Sequence, residues 1–173
     1  MSRRHLFLVG LPGSGKSTVG PVLAEAVGLS FVDLDAVIIR RMGMPVDRIF
    51  GEFGEAKFRE LEREATAAQL RGPPAVVAPG GGWAAQPGNL EQAGPHSRFC
   101  YLKVQPEIAL ERAGQGAVRP LLRGGEGLAR MMALLSERVS YYQQADLTVE
   151  NDGDDPARTA AEIAEWFLKN DSC

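Results

Sequence analysis

Short apolar segments alternate along the chain with longer segments in which apolar residues recur every three or four positions. The first kind has the length of a buried strand, and the second has the spacing of an amphipathic helix. The predicted strands are 5–10, 29–35, 74–80, 98–104 and 145–151, and the predicted helices are 16–28, 55–71, 106–113, 126–143 and 156–169. This alternation predicts an α/β protein with a mainly parallel sheet. Because ligands bind beyond the carboxyl ends of such strands, we expect the chemistry just after each apolar segment.

The size and composition of the chain are those of one ordinary globular domain. Of its 173 residues, 45% are hydrophobic and 24% are charged, so extended disorder is not expected. We therefore predict a single domain over residues 1–173. The net charge of -3 argues against a general nucleic-acid-binding protein.

The cysteines and the N-terminal segment favour a cytoplasmic protein. Cys100 lies in an apolar segment and Cys173 is the last residue, which predicts neither a disulfide framework nor a zinc site. The first apolar segment leads into a glycine-rich loop rather than a cleavage site, so we expect a first strand and no signal peptide. No apolar segment approaches the length of a membrane span. We expect a cytoplasmic monomer that binds neither membranes nor nucleic acids.

The first predicted strand ends in a phosphate-binding motif. The sequence GLPGSGKS at 10–17 matches G-x-x-x-x-G-K-[ST], with a strand before it and an amphipathic helix after it. Its glycines allow backbone N–H groups to turn toward phosphate oxygens at the positive end of a helix. Lys16 can reach the β- and γ-phosphates, and the Ser17 hydroxyl can ligate Mg²⁺. The motif predicts binding of a nucleoside triphosphate, with a chance glycine turn as the alternative.

Two carboxylates, Asp33 and Asp35, close the second predicted strand. Alternate side chains of an extended segment share a face, so both can point the same way. Two nearby like charges suit a bound cation or a hydroxyl group that must be oriented. The alternative is structural, because Asp35 precedes a helical pattern and can serve as its N-cap.

Arginines appear at three places where an anion could be bound. Arg59 and Glu62 are one helical turn apart and can fix each other, although an ordinary solvated helix face has the same pattern. Arg119 lies in the glycine-bounded segment 113–127, which is typical of a mobile lid, and the alternative is an exposed loop arginine. Arg138 borders the predicted inward stripe of the helix 126–143, where it either meets an anion or extends to water. The residues of that stripe are Leu128, Met131, Leu135, Val139 and Tyr142.

The third predicted strand runs into three consecutive glycines, 80–82, between Pro79 and Trp83. Glycine loses more conformational entropy on folding than any other residue, so three together need a reason. One possibility is a flexible turn. The other is that a ligand or another chain segment approaches the backbone too closely for any side chain.

Taken together, these segments resemble the shikimate kinases, a family of small P-loop kinases related to the nucleoside monophosphate kinases. The resemblance covers nearly the whole chain and rests on GLPGSGKST, DLD, IF…GE…FRELE, GGG, RPLL and LLSERVSYY. The first motif occurs in many folds, whereas the combination of the others is far more specific. The resemblance implies a five-stranded parallel sheet flanked by helices, a substrate-binding helical region at about 34–62, and a mobile lid. It also implies transfer of the ATP γ-phosphoryl group to the 3-hydroxyl of shikimate.

The resemblance further implies a role for each matching residue. Those implied for ATP are Gly13, Ser14, Gly15, Lys16, Ser17, Thr18, Arg112 (on the adenine) and Arg119 (in the lid). Those implied for shikimate are Asp35, Arg59, Gly81, Gly82 and Arg138, with the two arginines on its carboxylate. Mg²⁺ would be bound by Ser17, with Asp33 near it through water. Lys16, Asp35 and Arg119 would be catalytic, and Asp35 would accept the hydroxyl proton.

Several positions depart from the family pattern. Ile39 stands where the family usually has a glutamate, and Pro79 and Trp83 are unusual beside the glycines. Either Tyr141 or Tyr142 could match the family tyrosine that follows Arg138. Two other functions stay open from the sequence. One is a kinase for a different small polyol acid such as gluconate, or for a nucleotide; the other is a non-catalytic nucleotide-binding regulator of the same fold.

Overall fold

The computed structural model describes residues 4–114 and 126–171. Its strands are β1 (His5–Val9), β2 (Ser30–Asp33), β3 (Ala75–Ala78), β4 (Ser97–Lys103) and β5 (Leu147–Glu150). Its helices are α1 (Lys16–Val27), α2 (Leu34–Met42), α3 (Val46–Leu70), α4 (Asn89–Ala93), α5 (Pro106–Gly114), α6 (Gly127–Tyr142) and α7 (Pro156–Asn170). A single 3-10 turn, Gly94–His96, joins α4 to β4.

All five strands run parallel in one sheet, in the order β2-β3-β1-β4-β5. The central strand β1 places Phe7 opposite Val77 of β3 and Phe99 of β4. The chain moves outward from β1 in both directions, so a crevice opens at the carboxyl end of β1, where neighbouring connections diverge. The predicted five-stranded parallel sheet flanked by helices is confirmed, and this crevice begins where the phosphate-binding motif begins.

The alternation of side chains along the strands builds one core on each face of the sheet. Leu6 and Leu8 of β1 face α1 and α7, where Leu23 and Phe167 are fully buried. Phe7 and its neighbours face the other way, toward α2, α3, α5 and α6. Within residues 4–114 and 126–171, none of the helices combines the length and apolar character needed to cross a bilayer.

The helices begin and end at residues that satisfy their exposed backbone groups. Asp155 accepts hydrogen bonds from the N–H groups of Ala157 and Arg158 at the start of α7. Gly28 ends α1 in the left-handed region, with φ of 67°, and its N–H group donates to the carbonyl oxygens of Ala24 and Glu25 in the last turn. These local signals explain why the predicted bounds of α1 and α7 lie within about two residues of the observed ones.

Two helices differ from the sequence prediction in ways that matter for the site. Helix α2 already begins at Leu34, so Asp35 lies in its first turn rather than in an extended strand. Helix α3 begins at Val46, well before the predicted start at 55, and is interrupted at Gly54, where φ is 82° and ψ is 168°. That break hid the first third of α3, because the change of direction also breaks the helical period of apolar residues.

Helix α6 follows the predicted stripe over most of its length. Met131 and Tyr142 are fully buried, and Leu135 and Val139 are partly buried. Leu128 is 37% exposed, so the prediction that it belongs to the inward stripe is wrong. The stripe begins one turn later because α6 contacts the core only from Met131 onward.

Candidate functional site

A cleft of about 1080 Å³ lies beyond the carboxyl ends of the strands. Its middle is the phosphate loop with Lys16, Ser17 and Thr18. One end is lined by residues from α2, α3, α6 and the triple glycine, and the other by Arg112 and the segment that follows β5. The volume is at the upper end of what small-molecule sites occupy. The arrangement offers room for a nucleotide at one end and a smaller acceptor at the other.

The phosphate loop joins β1 to α1. Gly13 and Gly15 have φ of 78° and 99°, a region that disfavours side chains, and Gly15 caps the N-terminus of α1. Lys16 is buried, and its Nζ donates to the carbonyl oxygens of Gly10 and Leu11 at 2.8 and 2.9 Å. The loop therefore presents backbone N–H groups, a helix N-terminus and an ammonium group together, which is the chemistry of an anion site.

Asp33 and Ser17 meet beside this loop. The Ser17 hydroxyl donates to Asp33 Oδ2 at 3.2 Å, while Asp33 Oδ1 accepts from the N–H of Ala36 at 3.1 Å. Asp33, and not Asp35, is therefore the N-cap of α2. The alternative reading of Asp35 as a cap is wrong, because α2 begins at Leu34, two residues too early for it. Asp35 is left to line the cleft.

The three glycines each face a different part of the cleft. A Cβ atom on Gly80 would lie 3.1 Å from Glu62 Oε1 and 3.2 Å from Asp35 Oδ1. A Cβ on Gly81 would lie 2.7 Å from Pro12 Cδ of the phosphate loop, and one on Gly82 would lie 2.7 Å from Arg59 Nη2. None of the three has a positive φ. Close approach, and not backbone conformation, is therefore what requires glycine here.

Two arginines converge at Gly82 from different helices. The Nη2 atoms of Arg59 and Arg138 would lie 2.7 and 3.2 Å from a Cβ on Gly82. Arg59 of α3 is held by Glu62 at 2.5 Å and by Glu55 at 3.2 Å. Two guanidinium groups this close repel, and an anion between them relieves the repulsion. Their forked donors match a planar carboxylate.

Glu62 is the buried partner of this arginine pair. Its side chain is only 1% exposed, and among the described residues no hydrogen-bond donor reaches its Oε1 atom. Burial raises the pKa of Glu62 from 4.5 to about 6, although the neighbouring Arg59 opposes the change. Asp35 adds to the upward shift, as a second negative charge nearby. The cleft thus has an acidic side near Gly80 and a basic side near Gly82.

The buried Trp83 anchors the glycine loop, residues 80–82, to the protein core. It is fully buried, stacks on Phe7 with ring centroids 5.1 Å apart, and donates from Nε1 to the Thr66 hydroxyl at 2.9 Å. The Thr66 hydroxyl in turn donates to the backbone carbonyl of Glu62 at 2.8 Å. Trp83 therefore does not line the cleft but packs against α3, and it ties the loop to the helical turn that carries Glu62.

Tyr142 holds the same loop from the side of α6. Its hydroxyl donates to the carbonyl oxygen of Gly81 at 2.5 Å, and its ring is fully buried. Tyr141 is 37% exposed. Of the two tyrosines left open by the sequence, Tyr142 is the one that contacts the site.

The remaining predicted residues are distributed as follows. Arg112 lines the cleft beside the segment that follows β5 and donates to the carbonyl oxygens of Asn151 and Gly153, both at 2.7 Å. Ile39, at the position where the family usually has a glutamate, lines the acceptor end. Arg119 and most of the predicted lid lie outside the described residues, so their roles stay predictions.

Comparison with known proteins gives the site its context. A model of the shikimate kinase family matches residues 12–168. A shikimate kinase of Thermobifida fusca is 45% identical over 95% of this chain and 96% of its own length. One from Moorella thermoacetica is 42% identical over 93% and 92%. The chain belongs to the shikimate kinase family.

A solved structure agrees with the assignment to the shikimate kinases. The shikimate kinase of Acinetobacter baumannii in complex with shikimate superposes with a TM-score of 0.92, at 31% identity, over 99% of this chain and 96% of that chain. As a member of the shikimate kinase family, this protein is an ATP-dependent kinase, and its resemblance to that family is confirmed.

Two residues of the cleft in this shikimate kinase family member were missed by sequence reasoning. Asn151 and Pro156 line the cleft at the end where Arg112 lies. Asn151 directly follows β5, but the predicted strand 145–151 included it, so the rule that ligands bind beyond strand ends did not identify it. Pro156 is the first residue of α7, a position where proline is common for local reasons, and that structural explanation masked its place in the cleft.

Proposed function

We propose that the protein transfers the γ-phosphoryl group of ATP to the 3-hydroxyl of shikimate, giving ADP and shikimate 3-phosphate. The proposal rests on the convergence of Arg59 and Arg138 at Gly82, while Asp35 approaches Gly80 two residues away. This polarity suits an acceptor with a carboxylate at one end and hydroxyl groups at the other. The relative from Acinetobacter baumannii, in complex with shikimate, supports the same acceptor.

The acceptor is oriented by the two sides of the glycine loop. Arg59 and Arg138 bind its carboxylate, and Gly81 and Gly82 contribute backbone contacts to the acceptor at a position where no side chain intervenes. The hydroxyl to be phosphorylated then lies near Asp35, on the side of the phosphate loop. Positioning of this kind supplies much of the rate of phosphoryl transfer, which requires little covalent chemistry from the protein.

The transfer step is a displacement at phosphorus. The 3-oxygen of shikimate forms a bond to the γ-phosphorus as the bond from that phosphorus to the β,γ-bridging oxygen breaks, and ADP leaves. Asp35 accepts the proton of the attacking hydroxyl. Lys16 binds the β- and γ-phosphates and neutralises the charge that develops on them. Arg119 in the proposed lid adds a second positive charge.

Ser17 and Asp33 fit a magnesium site. Their side-chain oxygens are hydrogen-bonded at 3.2 Å, and Mg²⁺ is commonly held by one or two such oxygens together with phosphates and water. When bound, the ion would neutralise phosphate charge and align the triphosphate. Gly13, Ser14, Gly15 and Thr18 complete the phosphate cradle, and Arg112 lies where the adenine would stack.

The acceptor assignment is tested by a comparison of substrates. We expect ATP consumption with shikimate and little or none with gluconate or a nucleoside monophosphate. We expect Arg138→Ala to raise the KM for shikimate by roughly 10-fold to 100-fold, because a charge-assisted hydrogen bond contributes about 1.5–3 kcal/mol, and to leave the KM for ATP within about two-fold. Arg63→Ala removes an equal charge from an exposed position one turn beyond Arg59 and serves as the control.

The outcome that would overturn the proposal is specific. Folded protein that binds ATP but does not phosphorylate shikimate would exclude this acceptor. An equal rise in both KM values for Arg138→Ala would reject the role given to that arginine. The protein is further proposed to be a cytoplasmic monomer of one domain, and sedimentation at assay concentrations would test the monomeric state.

A further inference from the structure

Asn151 is a buried polar residue directly after β5 that contacts both the phosphate loop and the nucleotide end of the cleft. It is 5% exposed. Its Nδ2 donates to the carbonyl oxygen of Ser14 at 2.8 Å, and its Oδ1 accepts from the Thr159 hydroxyl at 2.7 Å. Its backbone N–H donates to Lys103 at 2.8 Å, and its carbonyl accepts from Arg112 at 2.7 Å. One residue therefore joins β4, α5, α7 and the phosphate loop.

The side chain fixes the orientation of one peptide group in the phosphate loop. In a trans peptide the carbonyl and the following N–H point in opposite directions. Because Asn151 holds the Ser14 carbonyl, the N–H of Gly15 is directed away from Asn151. Gly15 adopts φ of 99° at the N-terminus of α1, and a Cβ there would collide with Asn151 Nδ2. The hydrogen bond and the glycine thus specify one orientation of the loop.

The backbone of the same residue fixes the arginine at the nucleotide end. The two terminal nitrogens of the Arg112 guanidinium, Nη1 and Nη2, donate to the carbonyl oxygens of Asn151 and Gly153, each at 2.7 Å. A guanidinium held by both terminal nitrogens has little rotational freedom, so the orientation of its flat face is fixed. Arg112, Gly153 and Pro156 all line the cleft. The position of this face relative to the phosphate loop therefore depends on Asn151.

We infer that Asn151 is a positioning residue for ATP. It fixes the position of the phosphate loop relative to Arg112, the arginine at the nucleotide end of the cleft. This inference rests on the proposed function, in that ATP occupies this end of the cleft. Asn151 acts through Ser14, Gly15 and Arg112, and its effect falls on the nucleotide rather than on the acceptor. Asparagine suits the task because one amide supplies a donor to Ser14 and an acceptor to Thr159 at the same time.

The test replaces the amide donor by a group whose donation depends on pH. Asn151→Asp keeps the shape, but an ionised carboxylate cannot donate to the Ser14 carbonyl and repels it. We expect the KM for ATP to rise about 10-fold or more at about pH 8, relative to the unsubstituted protein at the same pH. The rise should shrink toward about pH 6, because burial raises the pKa of such a carboxyl group and its protonated form can donate. The KM for shikimate should stay within about two-fold.

Two further variants keep the test decisive. Asn151→Ala leaves all backbone contacts intact and should raise the KM for ATP about 10-fold without the pH dependence. Thr159→Val removes the bond to Oδ1 but keeps the bond to Ser14, so it should change the KM for ATP far less, even if it lowers the melting temperature. Folding is checked for each by thermal unfolding.

Opposite results would overturn the inference. One such result is an unchanged KM for ATP in both Asn151 variants. Another is an equal increase of the KM values for ATP and for shikimate. A third is the same pH dependence of the KM for ATP in Asn151→Ala as in Asn151→Asp. Failure of the proposed function looks different. In that case the unsubstituted protein would not phosphorylate shikimate at all, and ATP binding by calorimetry would still report on Asn151.

Discussion

Gly82→Ala should separate acceptor binding from the stability of the fold. A Cβ atom at this position would lie 2.7 Å from Arg59 Nη2 and 3.2 Å from Arg138 Nη2. Ordinary contacts of a Cβ atom begin at about 3.4 Å, so the Arg59 guanidinium must move by about 0.7 Å and that of Arg138 by less. Both atoms are at the far ends of flexible side chains, so the arginines move and the backbone stays.

The displaced arginines should bind the carboxylate of the acceptor less tightly. Loss of one charge-assisted hydrogen bond is worth about 1.5–3 kcal/mol, or roughly a 10-fold to 100-fold rise in the dissociation constant for shikimate. The free energy of unfolding should change little, because Gly82 has no positive φ and the gain of about 0.4–1 kcal/mol from replacing glycine by alanine at such positions offsets the cost of moving the two arginines. Thermal unfolding and shikimate calorimetry measure the two quantities independently.

Gly94→Ala is the matched control for this substitution. Gly94 also has no positive φ, and a Cβ there would meet nothing within 4 Å. We expect it to leave both KM values unchanged. The reasoning would be refuted if Gly82→Ala bound shikimate as tightly as the unsubstituted protein, or if ATP affinity fell as much as shikimate affinity.

Two further predictions concern the supports of the site. Tyr142→Phe removes the hydroxyl that donates to Gly81 and should raise the KM for shikimate several-fold while lowering stability by about 1 kcal/mol, whereas the exposed Tyr141→Phe should change neither. Burial raises the pKa of Glu62 from 4.5 to about 6, so the folded protein binds more protons in that window. Its free energy of unfolding should therefore fall by about 2 kcal/mol in total as the pH rises from well below 4.5 to well above 6, relative to Glu62→Gln, as denaturant titrations at a series of pH values can measure. Parallel pH curves for the two proteins would contradict the Glu62 prediction.

Most of the fold could be predicted from the sequence because parallel strands and amphipathic helices have different apolar periods. The phosphate loop was predictable for a different reason: its glycines, lysine and hydroxyl stand in a fixed order next to each other. Helix α4, from Asn89 to Ala93, was not predicted, since five residues are too few to establish a period. The early start of α2 was also missed, because Asp33 both ends a strand and caps a helix.

The acceptor end of the cleft was harder to predict from sequence chemistry alone. Arg59 and Arg138 are far apart in the chain, and each has an ordinary surface explanation when taken alone. Only the fold brings both to Gly82. The sequence marked Trp83 only as unusual beside the glycines and did not indicate what it contacts. Its contacts with Phe7 and Thr66 are those of a core residue.

The glycine loop also limits how this protein can change over evolutionary time. Gly80, Gly81 and Gly82 are each restricted by a different neighbour: the two acids, the phosphate loop and the two arginines. A compensating substitution that makes space at one of these positions therefore makes none at the other two. A single accepted mutation cannot open the loop to larger residues. A change of acceptor specificity is easier to reach at Ile39, which is exposed and lines the cleft, because a single substitution there needs no compensating change at the glycines.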